Sequence, residues 1–222
     1  MEDARYFTAH YPAPDLSIVP DTGFPVCCAQ RGSMTLSVEV PFAHEVTIQQ
    51  SNNPSVTPEE ITAVLADGTA LTAKGDSAHI FKADGIDNAI VKLLKLLGER
   101  FPEDAEKLND VAGLINSWHG ETLGIDYADE LSGALQMGAT AMAWEDGELK
   151  VRVFIILPVS ADADEMTSRA NCKAQTVGAS AVKLRARPSC SFPVDHPVVK
   201  LLTGVYNEVM HLESEPFVMS GG

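Results

Sequence analysis

Six histidines, His10, His44, His79, His119, His196 and His211, are the side chains best able to ligate a metal or move a proton near neutral pH. None lies in an H-E-x-x-H motif, and none has a histidine or aspartate two residues away. Spacing alone therefore marks none of them as a ligand, and each reads first as a surface or structural histidine. No G-x-S-x-G elbow, phosphate-binding glycine loop or dinucleotide fingerprint is present. One segment is more suggestive: Gly75-Asp-Ser-Ala-His79 follows an expected strand and precedes a loop and a glycine-started helix. A histidine placed there can project from a sheet toward a facing surface; the plainer reading is an exposed loop histidine.

The elements that must hold these residues follow from apolar periodicity. Residues 1–30 read as an extended connector, because prolines recur every few residues. A short buried step is expected at Phe24-Pro-Val-Cys-Cys28. Met34, Leu36, Val38 and Val40 share one face of a strand, and Val46 and Ile48 begin another. Thr57-Pro-Glu-Glu60 has the form of a capping box, which predicts a short helix through Leu65, followed by a strand at 70–73. Ile86, Ala89, Ile90, Leu93, Leu94 and Leu97 predict an amphipathic helix opened by Gly85, with a second helix from Pro102 to about Trp118. Residues 134–144 and 148–158 predict a hairpin through Asp146-Gly147. Helices at 161–176 and 196–211 flank a strand near 181–187. This order predicts an α+β fold of two similar subdomains, each an antiparallel sheet with helices on one face.

Composition narrows the partners. The 222 residues carry a formal charge of -15, which repels nucleic acid and anionic membranes and argues against both. No apolar run reaches the ~18–20 residues of a membrane span, and the start lacks the pattern of a signal peptide. Cys27, Cys28, Cys172 and Cys190 form no C-x-x-C pair, so they read as buried, reduced thiols of a cytoplasmic protein.

Several segments, in order, resemble one family. Gly75-Asp-Ser-Ala-His-Ile-Phe-Lys-Ala-Asp-Gly-Ile-Asp-Asn-Ala is similar to the Gly-x-Ser-Ala-His segment and Gly-x-Asn-Ala helix start of the zinc dipeptidases and deacylases related to carnosinase, acetylornithine deacetylase and succinyl-diaminopimelate desuccinylase. Pro20-Asp-Thr-Gly-Phe-Pro-Val resembles the Pro-Asp-x-x-Phe-Pro segment that leaves the catalytic domain of that family. Gly124-Ile-Asp-Tyr-Ala-Asp-Glu-Leu-Ser-Gly and Pro193-Val-Asp-His-Pro-Val-Val-Lys-Leu-Leu-Thr-Gly-Val-Tyr resemble segments of its bacterial dipeptidase branch, and Gly221-Gly222 matches the start of a later Gly-Gly motif.

The resemblance implies a lid domain from a dinuclear zinc dipeptidase. It divides the chain into a connector at 1–30, a first lid subdomain with a helical spacer at 31–120, a second at 121–215 and a return connector at 216–222. By the same resemblance Asp21 corresponds to a zinc ligand and His79 to the lid histidine that stabilises the oxyanion. Asn53, or its neighbour Asn52, corresponds to a lid asparagine near the substrate. The family's Arg-Tyr-Pro, whose arginine grips the substrate carboxylate, is Ile156-Leu157-Pro158 here; Arg152, on the same strand face, is the candidate substitute. The family's Glu-Lys-Gly is Gln30-Arg31-Gly32. Its His-x-Asp, Asp-Asp turn and Glu-Glu pair have no match upstream of Pro20, and its last zinc histidine would follow Gly222. The parent is therefore expected to bind two zinc ions and a dipeptide through a catalytic domain outside this chain. The chain alone is expected to be inactive and to bind no zinc tightly, and exposed edge strands could pair it into a homodimer. The alternative is a catalytically dead relative serving as a binding or assembly module.

Overall fold

The computed structural model describes residues 2–14, 17, 23–82 and 84–219. The first part runs through α1 (Glu2–His10), β1 (Cys27–Gln30), β2 (Gly32–Pro41), β3 (Val46–Gln50), β4 (Glu60–Leu65) and β5 (Ala70–Lys74). A short 3-10 turn (Ile80–Lys82) leads to α2 (Ala89–Arg100) and α3 (Ala105–Leu114). Then come β6 (Ala128–Asp129), β7 (Gly133–Ala134), β8 (Gln136–Glu145), β9 (Glu148–Leu157) and α4 (Ala163–Gln175). β10 (Ser180–Arg187), β11 (Cys190–Ser191), α5 (Pro197–Met210) and β12 (Phe217–Met219) follow.

The class is α+β, and the largest sheet is antiparallel with strand order β10-β2-β9-β8. In chain order these four strands stand 4-1-3-2, the split βαβ arrangement. α4 makes one crossover; the other holds α2, α3 and a second antiparallel sheet, β3-β4-β5. β2 therefore pairs on both sides with strands from beyond residue 120, so the boundary drawn at 120/121 runs between strands of one sheet. The two sheets are joined by a side chain acting as backbone. Gln50 donates through Nε2 to the Met142 carbonyl at 2.9 Å and accepts from the Met142 N–H at 3.1 Å.

The helices cover one face. Met34, Leu36, Val38 and Val40 of β2 and Val151, Val153 and Ile155 of β9 are buried together with Ile90, Leu93, Leu94 and Leu97 of α2 and Met166 of α4. Each such side chain contributes about 1.5–3 kcal/mol when taken from water. The period of two on the strands and of 3.6 on α2 turns both stripes toward this core. The opposite face of the central sheet carries Ser37 and Glu39 of β2 and Lys150 and Arg152 of β9, and the 3-10 turn packs on its Phe154–Ile156 end.

Four expectations need correction. The segment after Thr57 is not a helix: Glu60–Leu65 is the middle strand of the second sheet, with Ile61, Ala63 and Leu65 buried in alternation. β-branched residues at alternate positions, paired on both sides, outweigh a local capping signal. α2 begins at Ala89 rather than Gly85, because Asn88 caps it by accepting the Ile90 N–H at 2.9 Å. α3 stops at Leu114, short of Trp118. The expected connector opens with a helix, α1, which ends before the first proline at Pro12. The thiols also differ from expectation: Cys28 is buried and Cys27 half-buried, while Cys172 and Cys190 are exposed, and all four are free. Burial pushes the Cys28 thiol up, and the charge of Cys27 adds to it.

Candidate functional site: the His79 loop and the open sheet face

His79 is held by a cross-loop ladder. It bridges Val56 in antiparallel fashion, the Ile80 N–H donates to the Ser55 carbonyl at 3.0 Å, and the Thr57 N–H donates to the Ala78 carbonyl at 3.0 Å. Thr57 is fully buried, and its hydroxyl donates to the Asp76 carbonyl at 2.7 Å while accepting the Ala78 N–H at 3.0 Å. Gly75 makes the entry possible. A Cβ there would run into the backbone of Asp87 and Ala89, so the loop lies directly on the turn that starts α2.

The ring itself is poised as a donor. The Phe81 N–H donates to His79 Nδ1 at 3.4 Å, and the Phe81 ring lies 4.4 Å away, centroid to centroid. Partial burial pushes the His79 imidazolium below its ordinary value, which favours the neutral ring. With Nδ1 accepting, the proton of the neutral ring sits on Nε2, which is left to donate.

Asn53 stands at the turn that leads into Val56, whose N–H donates to its carbonyl at 3.5 Å. Its Oδ1 accepts from the Ser55 N–H at 3.2 Å and hydroxyl at 3.3 Å. Its exposed amide nitrogen has no partner among the described residues. Ile80, next to His79, packs against Ile156, Phe154, Trp118 and Ile86. Ile156 is only 3% exposed and makes an apolar contact with the His79 turn.

Arg152 lies two residues before Phe154 on the same face of β9, opposite Ser37. It lines a groove of about 460 Å³ with Ser37, Glu39, Gln50, Asn52, Lys150 and others, at the seam of the two sheets. The His79 turn, through Ile80, and Arg152 thus meet the same face of the central sheet, the one that carries Phe154 and Ile156. Asp21 lies outside the described residues.

Arg31, read from sequence as a mild substitution, is a buried anchor. It donates to Gln136 Oε1 at 3.1 Å and to the carbonyls of Ala134, Ile156 and Leu157 at 2.6, 3.2 and 3.4 Å. Burial pushes its guanidinium down, and the charge of Asp129 opposes this. Thr57, in the loop before β4, and Ser37, on β2, were also missed as site residues, because small polar residues carry no spacing signal.

Among the described residues one group has three potential metal ligands close together, His44, Glu103 and Asp104. His44 is stacked on Phe101 at 3.9 Å, and Asp104 is paired with Lys107 at 2.9 Å. None of the expected site residues belongs to this group, and it does not fit a two-zinc centre.

No protein-family model matches the chain, and no curated protein matches it. Among solved structures it is similar to the dipeptidase Dug1p of Saccharomyces cerevisiae, with 8% identity and a TM-score of 0.44 over 90% of this chain and 45% of that one. It is also similar to an aminoacylhistidine dipeptidase from Vibrio alginolyticus, with 11% identity and a TM-score of 0.46 over 87% of this chain and 51% of the other. Human carnosine dipeptidase 1 shows 10% identity and a TM-score of 0.42 over 88% and 45%. The chain spans about half the length of each.

Proposed function

We propose that this chain is the lid of a zinc-dependent dipeptidase, covering a dipeptide held on a catalytic domain outside it. The observation that carries the reading is His79. Partial burial favours its neutral ring, the Phe81 N–H donates to its Nδ1 so that Nε2 carries the proton, and it sits on a loop braced by Thr57 and Gly75. Attack of water on a peptide carbonyl builds negative charge on its oxygen, and a preplaced donor there supplies ~2.7–4 kcal/mol. Asn53 offers a second donor from the turn that leads into Val56.

In this reading Asp21 and the residues of the catalytic domain hold two zinc ions, which would polarise the carbonyl and activate the water. No other step is assigned to the metal, since the described residues of this chain do not fit such a centre. The chain alone is inactive and lacks a tight zinc site. Its partners are the dipeptide and the catalytic domain, with no nucleic acid or membrane, in the cytoplasm. No helix among the described residues is long and apolar enough to cross a membrane. A homodimer through exposed edge strands belongs to the proposal.

One observation favours a second reading, a catalytically dead relative acting as a binding or assembly module: Ile156 replaces the carboxylate-gripping arginine and is buried. Dipeptide hydrolysis by the full-length protein, with and without His79→Ala, separates the two readings. Hydrolysis that depends on His79 supports the lid; a folded, metal-loaded protein with no turnover supports the module.

A further inference from the structure

Gln136, at the start of β8, is held from two sides. Its Oε1 accepts from Arg31 Nη1 at 3.1 Å, and its Nε2 donates to the Phe81 carbonyl at 3.1 Å. Arg31 offers donors alone, so the amide has one orientation. Turned over, it would set its NH2 against the guanidinium and its oxygen against the Phe81 carbonyl. The guanidinium is itself fixed: it is buried, and its other donors hold the carbonyls of Ala134 on β7 and of Ile156 and Leu157 on β9. The Arg31 N–H donates to the Met219 carbonyl of β12 at 2.9 Å, so this anchor stands where both expected connectors join the sheet. Register brings Gln136 within reach of the His79 turn, because its cross-strand partner is Ile156, on which Ile80 packs.

The far end of this chain of contacts is the His79 ring. The Phe81 N–H meets His79 Nδ1 at 3.4 Å, long for a hydrogen bond, so the contact lasts only while the Phe81 backbone is held in place. The ladder holds the residues before Phe81: His79 bridges Val56, and the Ile80 N–H donates to the Ser55 carbonyl. Gln136 supplies the hold on Phe81 from the sheet side. An oxyanion donor must stand about 2.7–3.1 Å from the oxygen it serves. A misplacement of about 1 Å can cost on the order of a hundredfold in rate.

We propose that Gln136, its amide oriented by Arg31, is a positioning residue for His79: it holds the Phe81 backbone against the imidazole and so aims Nε2 at the developing oxyanion. What Nε2 meets rests on the lid reading; the positioning itself is complete within this chain.

Gln136→Glu separates aim from support of the fold. A carboxylate accepts from Arg31 at least as well as the amide does, but it has no proton for the Phe81 carbonyl and repels it. In the 222-residue chain this variant should unfold no more easily in urea than the wild type. Its Phe81 amide should exchange with deuterium about fivefold faster, the size of one neutral hydrogen bond. The His79 Nδ1 resonance should move to that of an unbonded imidazole nitrogen. Gln136→Met loses both bonds at similar length and should show the same two changes with lower stability. In the full-length protein Gln136→Glu should lower kcat by about tenfold to a hundredfold with KM little changed. Native Phe81 exchange and native His79 resonances in the folded variant overturn the proposal. Faster exchange spread over the whole chain also overturns it, since that marks support of the fold. If Gln136→Glu does not fold, Gln136→Met decides by the same two signals. If the full-length protein hydrolyses no dipeptide while both signals respond as expected, the lid reading fails and the positioning stands.

Discussion

The Thr57 hydroxyl accepts the Ala78 N–H at 3.0 Å and thereby fixes the residue immediately before His79. The same oxygen donates to the Asp76 carbonyl at 2.7 Å, so one buried side chain spans both sides of the turn. Thr57→Val keeps the shape and removes both bonds. The loss should be about 1–3 kcal/mol, read by urea unfolding, and Thr57→Ser should recover most of it. A valine variant as stable as the wild type would show that the loop needs no such brace.

Gly75 provides the complementary test. Any side chain there meets the backbone of Asp87 and Ala89, which are not flexible side-chain ends. Gly75→Ala should cost about 1–3 kcal/mol or more and should move the His79 ring resonances. An alanine variant with native stability and native His79 shifts would refute the close packing of this loop on the α2 entry.

Asn88 joins two elements: its Oδ1 caps α2 and its Nδ2 donates to the Ala139 carbonyl at 2.9 Å, where β8 carries a bulge. Asn88→Ala removes cap and strand contact together, and thermal unfolding should show a loss of about 1–3 kcal/mol. Asn88→Asp keeps the cap alone and should fall between the two.

Acid should weaken the β7–β9 corner. Burial would raise the Asp129 carboxyl, but the N–H and hydroxyl groups of Ser160 and Ser132 outweigh it and hold it at about 2. The folded value lies below the ordinary one of about 3.9, so this carboxylate stabilises the fold above that pH. The contribution fades as pH falls toward 2. Melting temperatures of wild type and Asp129→Asn should therefore differ at pH 7 and converge near pH 2; a constant difference would contradict the network.

The parts of this architecture that were legible in the sequence are those where one periodicity rules. β2, with apolar residues at Met34, Leu36, Val38 and Val40, the β8–β9 hairpin through Asp146-Gly147, and the stripe of α2 all appear where expected. β4 was not legible, because Thr57-Pro58 carries a strong local helix signal while its strand character depends on pairing with β3 and β5. That His79 lies in a loop after a strand was readable; its brace was not, since Thr57 and Ala78 are 21 residues apart. The groove was unreadable for the same reason. Ser37 and Arg152 meet only through a sheet register between distant strands.

The central claim is that His79 donates to a developing oxyanion in a dipeptidase, and steady-state hydrolysis of a dipeptide by the full-length protein tests it most directly. His79→Ala should lower kcat by about 10²–10³-fold with little change in KM, as expected for a contact made in the transition state. An unchanged kcat in a folded, zinc-loaded variant would contradict the account.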